Sequence, residues 1–599
     1  MSRRLAMPAI ISVFGFAFVA AVFACEGGRG AFDNGPSGFD PLPEEDAGEC
    51  LLQCSLDGRS VIRSCTGDVV ETCPSELACG DARCQEACAA AAANSSSNGC
   101  EFYFQPPPEF EDNSDSCYAA FVVNTSASPV EISLGRGGEE LDLSGAIFRT
   151  TSGDATLIQH TGPIPPDESV VVFISDHDPE VPRGSRSQLP CPAGVRPAVL
   201  SRLLGLSPPG TRFGSSFHLT SNAPVSLVAM YPFGGAESRF PSATLLMPVV
   251  TWAKEHVLVD GWEASKYGNP ASRIVASEDG TEITIIAKKS LQDGIDVQGG
   301  PANTPLKYTL EKGEYLQLQQ SDELVGSIVM SSKPTSISGG NSCAYVPSWG
   351  GACDILWQQI PSFEQWGSEY VGVGYRQRTS SPHELMPYRI VAAHDGTRLD
   401  YDPVIPPGAP TEMNAGDFVT FPVSVNAPFV VRTQDAAHPI YVAAYMQGKN
   451  GGYHGSPPMA DQGDPEFVNV VPAGQWQSSY SFYADPTYEE TSLVVIRGKQ
   501  RDKFEDVWLE CAGTLEGWTP IGTRGDYEFV RVDLQRDGGP GQAFGDKVCQ
   551  TGLHRMKSEG PFHRHDLGLG PCGELRLSRR HGAPEARRRA AAPDPVTSA

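Results

Sequence analysis

The chain has 599 residues and a formal net charge of −27, with 16 Cys, 63 Gly and 50 Pro. So acidic a protein repels a phosphate backbone, which sets nucleic acid aside as a partner. Charged residues are only 20% of the total and turn residues are abundant, a composition that suits many short strands better than long helices.

Arg3 and Arg4 precede an apolar run at 7–24 that is interrupted only by Pro8, Ser12 and Gly15, with no charged stop-transfer flank after it. That pattern predicts a secretory signal and not a spanning helix. The ending Val22-Phe23-Ala24-Cys25 resembles a bacterial lipobox, which implies diacylation of Cys25 and a signal peptide over 1–25. The expected location is the outer membrane or cell surface, held by the lipid alone, with plain secretion as the alternative.

Residues 26–48 are rich in Gly, Pro and acid and predict a flexible linker. A Cys-rich module follows at 49–101, carrying Cys50, Cys54, Cys65, Cys73, Cys79, Cys84, Cys88 and Cys100. No His accompanies these cysteines, and an exported chain meets an oxidising compartment, so disulfides are expected and a metal is not. Setting aside Cys25 and Cys572 leaves an even number. The expected pairing is four bridges inside the module, then Cys117–Cys191, Cys343–Cys353 and Cys511–Cys549. Cys84 and Cys88 stand at i,i+4 before Ala89–Ala93, which predicts a short pinned helix.

From Cys117 the chain repeats. Arg273-Ile-Val-Ala-Ser-Glu-Asp-Gly-Thr281 returns as Arg389-Ile-Val-Ala-Ala-His-Asp-Gly-Thr397, read as strand, Asp-Gly hairpin turn of type I′, and strand. Gly313-Glu314-Tyr315 matches Gly416-Asp417-Phe418. A strand element recurs around Pro224, Pro334 and Pro439, and a Pro precedes a Trp at Pro248/Trp252, Pro361/Trp366 and Pro472/Trp476. The predicted fold is all-β, with tandem β-sandwich-like repeats of about 110 residues, a β-propeller being the alternative. The recurring Trp predict a structural role in each unit, with a carbohydrate platform as the functional alternative.

Taken together, Val275–Ile285, Gly313–Leu318, Ser332–Gly339, Cys343–Cys353 and the Pro361…Trp366-Gly367 segment resemble the IgGFc-binding protein N-terminal domain family, over roughly 117–562. The resemblance implies an extracellular recognition or adhesion module, and it carries over no catalytic residue.

After Pro561-Phe562 the sequence changes character: residues 563–599 hold seven Arg against four acids. An apolar strand is expected there. Advanced by one nucleotide, the codons of His563 to Gly570 can read Ile-Ala-Thr-Ile-Trp-Gly-Trp. The tail is therefore expected to be frameshifted or, failing that, disordered.

No nucleophile elbow, phosphate loop or zinc-protease motif is present, so no catalytic residue, metal ligand or cofactor is assigned. Asp176-His177-Asp178 is read as a solvated loop in preference to a calcium site. Two aromatic loops, 345–357 and 445–457, supply the candidate ligand contacts Tyr345, Trp349, Trp357, Tyr445 and Tyr453. The expected function is recognition of an extracellular protein or glycan. A structural envelope protein and a secreted hydrolase with a divergent site are the alternatives.

Overall fold

A computed structural model describes residues 51–569, apart from 56–57, 95, 109–114, 151–155, 183–187, 203–204, 239, 351, 379–383, 449–462 and 501, together with the backbone of 574–578. The signal, Cys25, the linker and Tyr453 lie outside these residues. Among the described residues no helix is long and apolar enough to cross a membrane.

Among the described residues the fold is all-β, with one α-helix, Ala87–Asn94. Four segments, 99–246, 253–360, 369–469 and 477–578, share one pairing scheme. In each, a centre strand lies antiparallel between two others. The centre strands are Tyr118–Asn124, Pro270–Ala276, Leu385–Ala392 and Glu490–Gly498. On one side of them run Ser169–His177, Glu314–Gln319, Phe418–Ser424 and Tyr527–Arg536. On the other side runs a long return strand: Phe217–Tyr231, Ile328–Ala344, the pair Phe429–Thr433 and Ile440–Met446, and Gly552–Leu569.

Midway along, each return strand changes partners. Its first half pairs with Ile132–Arg136, Thr281–Ile286, Thr397–Asp402 or Val507–Leu509. Its second half pairs with the centre strand and with a last strand: Ser242–Leu246, Asp354–Ile360, Glu466–Asn469 or Glu574–Ser578. The change falls at Pro224, Pro334 and Pro561, where register breaks are seen in the ladders, and at Pro439, which stands between the two separate strands of the third return. Proline has no N–H to donate, so a continuous ladder cannot pass through it. The outcome is two layers joined by one bent strand. In the third segment they separate into two four-stranded sheets.

This geometry corrects the hairpin reading of the Asp-Gly motif. Pro270–Ala276 and Thr281–Ile286 do not pair with each other; they pair with opposite halves of the same return strand. The turn is an arch between layers. Gly280 and Gly396 take positive φ (63° and 67°) while Asp279 and Asp395 do not, so the turn is not type I′. The aspartates instead accept a backbone N–H from the following turn, Lys312 to Asp279 at 2.9 Å and Ala415 to Asp395 at 3.0 Å.

The units are not beads on a string. Each last strand lies against the next one in order, and Glu574–Ser578 returns to lie against Ser242–Leu246, so the four close into a ring. Side chains link neighbouring last strands: Gln359 N–H donates to Thr244 Oγ1 at 3.0 Å, and Asn469 Nδ2 donates to the Gln359 carbonyl at 2.9 Å. Ring closure puts the first and fourth units in contact through Phe121, Phe233, Tyr483 and Tyr488.

Between units the chain makes a single 3₁₀ turn and then a Trp. The turns are Val249–Thr251, Phe363–Gln365 and Ala473–Gln475. Trp252, Trp366 and Trp476 are all buried. Each indole Nε1 donates to the carbonyl five residues back, at 3.1, 3.1 and 3.2 Å. Burial with a satisfied N–H is a structural role, and it removes the carbohydrate-platform alternative.

In the Cys-rich module, Cys54–Cys79, Cys73–Cys84 and Cys88–Cys100 are bridged, and Cys65 is also in a disulfide. The helix there carries Cys88 alone. Cys84 sits in the preceding strand, Arg83–Glu86, which corrects the expected i,i+4 pair. Glu86 starts the helix by accepting from the Ala89 N–H at 2.8 Å. The first unit opens at Gly99–Phe104, ahead of Cys117, because that strand pairs with Phe217–Tyr231. The disordered reading of the tail does not hold for its first residues: 563–569 continue the last return strand.

Trp366→Ala should leave a cavity at a unit junction and cost about 3–5 kcal/mol. Denaturant titration checks this, and an unchanged midpoint would contradict the assigned role. His256 bridges the Ala253 carbonyl and Thr335 Oγ1, both at 3.1 Å, and burial lowers its pKa from 6.5 to about 4. The unfolded chain therefore takes up this proton first, and stability is lost as pH falls from about 6.5 towards 4. His554, also lowered to about 4, adds in the same sense, while Asp260, raised to about 6, opposes it. His256→Gln should accordingly flatten the acid limb of the stability curve relative to the parent; equal slopes would contradict the assignment.

Candidate functional site

The Cys343–Cys353 bridge staples the loop between the return strand and the last strand of the second unit. That loop packs against residues 262–268 of the same unit. Ser265 Oγ donates to the Cys343 carbonyl at 2.6 Å, and Trp262 Nε1 donates to Ser348 Oγ at 3.2 Å. Ser348 also bonds Glu263. At Gly268 a Cβ would fall 2.2 Å from the Cys343 nitrogen, so only glycine lets the two loops touch. The first backbone link to the third unit is here too, from Gly448 N–H to the Val346 carbonyl at 2.9 Å.

On this scaffold three aromatic side chains reach outward. Trp349 and Tyr267 are each 59% exposed, and Tyr345 is half-buried. The Tyr267 and Tyr345 rings lie 6.4 Å apart, and Lys266 Nζ sits 4.5 Å from the Tyr267 ring centre. Burial pushes the Tyr345 phenol up, while a hydrogen bond with Tyr267 raises Lys266. The patch therefore sets the Lys266 ammonium against the outward rings, with the Glu263 carboxylate held by Ser348 beside them. Tyr267 was not among the expected contacts; its only sequence signal is a Lys-Tyr-Gly triplet in a polar loop.

Two expected contacts are corrected. Trp357 is buried in the strand Asp354–Ile360, where the Arg273 guanidinium lies 5.0 Å from its ring centre. Tyr445 is fully buried between Trp262 and Phe467, at 4.9 and 5.4 Å between ring centres. Both face the seams between units, where alternate strand positions bury side chains that an isolated sandwich would expose. Tyr453 falls outside the described residues.

The remaining expected sites resolve as structural chemistry. Cys117–Cys191 and Cys511–Cys549 are disulfides. Asp176 accepts from the His177 and Cys191 N–H groups at 2.8 and 2.9 Å, and His177 Nε2 meets the Val181 carbonyl at 2.5 Å. Among the described residues no group of three or more His, Cys, Asp or Glu is placed to hold a metal ion.

A second concavity, of about 690 Å³, lies where the Cys-rich module leans on the first and fourth units. Its walls include Asn94, Asn124, Ser126, Ser479 and Lys557. Arg59 to Asp167 at 2.9 Å and Ser128 Oγ to the Ser75 carbonyl at 2.6 Å span its edge. It is lined by small, hydroxyl and amide side chains together with the charged Arg59, Glu76, Glu86, Asp167 and Lys557, and among the described residues no aromatic ring lines it.

The family model described as IgGFc binding protein matches residues 242–564, a stretch that runs from the last strand of the first unit into the fourth. The human protein named IgGFc-binding protein is 27% identical over 256 residues, 43% of this chain and 4% of its own length. The chain thus spans a small fraction of that relative. Matched over more than half its length, the chain belongs to the IgGFc-binding protein family.

Proposed function

We propose that the chain is an exported, Cys25-anchored binding protein that recognises an extracellular protein through Tyr267, Tyr345 and Trp349. The observation that carries this reading is the pair of exposed rings, Trp349 on the disulfide-stapled loop and Tyr267 on the loop bonded to it, with half-buried Tyr345 beside Tyr267. Large exposed aromatic rings are uncommon on a free surface and typical of the anchors of protein interfaces. Holding them on two bonded loops reduces the entropy lost on binding. The family assignment supports binding over catalysis, and the human relative's name supports a protein as the class of ligand. Immunoglobulin Fc is accordingly the first probe, followed by other extracellular proteins.

Lipidation would hold the ring at a surface, where several weak contacts add through avidity. A glycan stacking on Trp349 and Tyr267 is the second reading, favoured by the same exposed rings.

The test is a protein and glycan binding screen on the exported chain, followed by the Trp349→Ala and Tyr267→Ala variants. Each variant should lose binding by about 10- to 100-fold with an unchanged Tm. Retained affinity in both would sink the assignment, and capture of glycans alone would favour the second reading. Cys343→Ser with Cys353→Ser should weaken binding less, through loop mobility.

A further inference from the structure

The return strands can be compared position by position, counting from the bend proline. Three residues beyond it stand Leu227, Ile337, Val442 and Arg564. Each faces the same centre-strand position: Val122, Ile274, Ile390 and Val495. The first three are buried members of their units' hydrophobic cores. Arg564 is just as buried, with its guanidinium 3.7 Å from the Phe482 ring centre. Five residues beyond the proline stand Ala229, Gly339, Ala444 and Asp566. The fourth unit alone places a charge pair where the other three have small or aliphatic side chains.

A buried arginine native to this fold looks different. Arg273 satisfies its guanidinium with Gln317 at 2.7 Å, the Pro106 carbonyl and Ser207 Oγ. Arg564 reaches Asp566 through Nη1, while its Nε and Nη2 have no hydrogen-bond partner among the described residues. Burial pushes its pKa down. The Asp566 carboxylate and the Phe482 ring offset part of the cost of burying this charge, but two of its donors stay unmet, which destabilises the strand. The backbone register is kept while the side-chain pattern is lost. A change of reading frame does this to a strand; drift by single substitutions, each screened for stability, does not.

We infer that codons from about 563 onward are read one nucleotide out of frame relative to the gene that shaped this fold, and that the strand native to the slot is apolar. In the shifted frame the codons of His563 to Gly570 can read Ile-Ala-Thr-Ile-Trp-Gly-Trp, which places Ala at position 564 and removes every charge from 563 to 569.

The direct test is the nucleotide sequence of the gene from codon 555 to codon 599, read in the shifted frame. An uninterrupted frame with an aliphatic residue at position 564 is expected. A stop within the first seven shifted codons, or a charged residue at 564, overturns the inference. The chain rebuilt in the shifted frame should also melt at least about 3 °C above the original. An equal or lower Tm overturns the claim that the apolar strand is native to the slot.

Discussion

A proline inside a strand has no N–H to offer, so a ladder that meets it must stop on one side and restart on the other. In this protein that constraint acts at Pro224, Pro334 and Pro561, while Pro439 stands where the third return is already divided into two strands, and the layered architecture follows. Each return strand serves one layer before its proline and a second layer after it. The half beyond the proline carries the last strand, and the four last strands meet one another to close the ring. A bend of local origin thereby fixes an arrangement spanning nearly 500 residues of chain, roughly the size of several ordinary domains.

Closure creates seams, and buried arginines occupy two of them. Arg273 joins the first and second units by donating to the Pro106 carbonyl and Ser207. Arg389 joins the second and third, donating to the Asp260 carbonyl at 3.1 Å and to Glu323 at 2.7 Å. Each also lies over aromatic rings, Tyr315 and Trp357 for the one and Trp262 and Tyr445 for the other. Desolvating a guanidinium is costly, and these partners offset the cost only when both units are in place. The aromatic patch sits on the loops directly above the Trp262–Tyr445 contact, so the same packing that joins two units also positions the exposed rings.

Much of this was legible in the amino-acid sequence. The order of strand motifs, the recurring Pro-to-Trp step and the short Cys343–Cys353 loop are local signals, and local signals survive in a linear reading. Partner choice is not local. Asp279-Gly280 marks a turn equally well for a hairpin and for an arch between layers, and only the return strand's change of partner decides between them. Trp357 and Tyr445 misled for a related reason: the sequence places both in loops, whereas they lie in the strands Asp354–Ile360 and Ile440–Met446, where the seams bury them. Tyr267 carried almost no signal, because its exposure depends on Gly268 admitting the Cys343 backbone from a loop 75 residues further along the chain.

The claim that the outward rings above the second unit form the recognition surface is tested most directly by hydroxyl-radical footprinting. The exported chain would be footprinted alone and saturated with the protein captured in the binding screen. Loss of labelling at Tyr267, Tyr345 and Trp349, with Trp252, Trp366 and Trp476 unreactive in both states, is the predicted result. Undiminished labelling of the three outward rings, with protection instead around Asn124, Ser126 and Lys557 in the cleft beside the Cys-rich module, would contradict it.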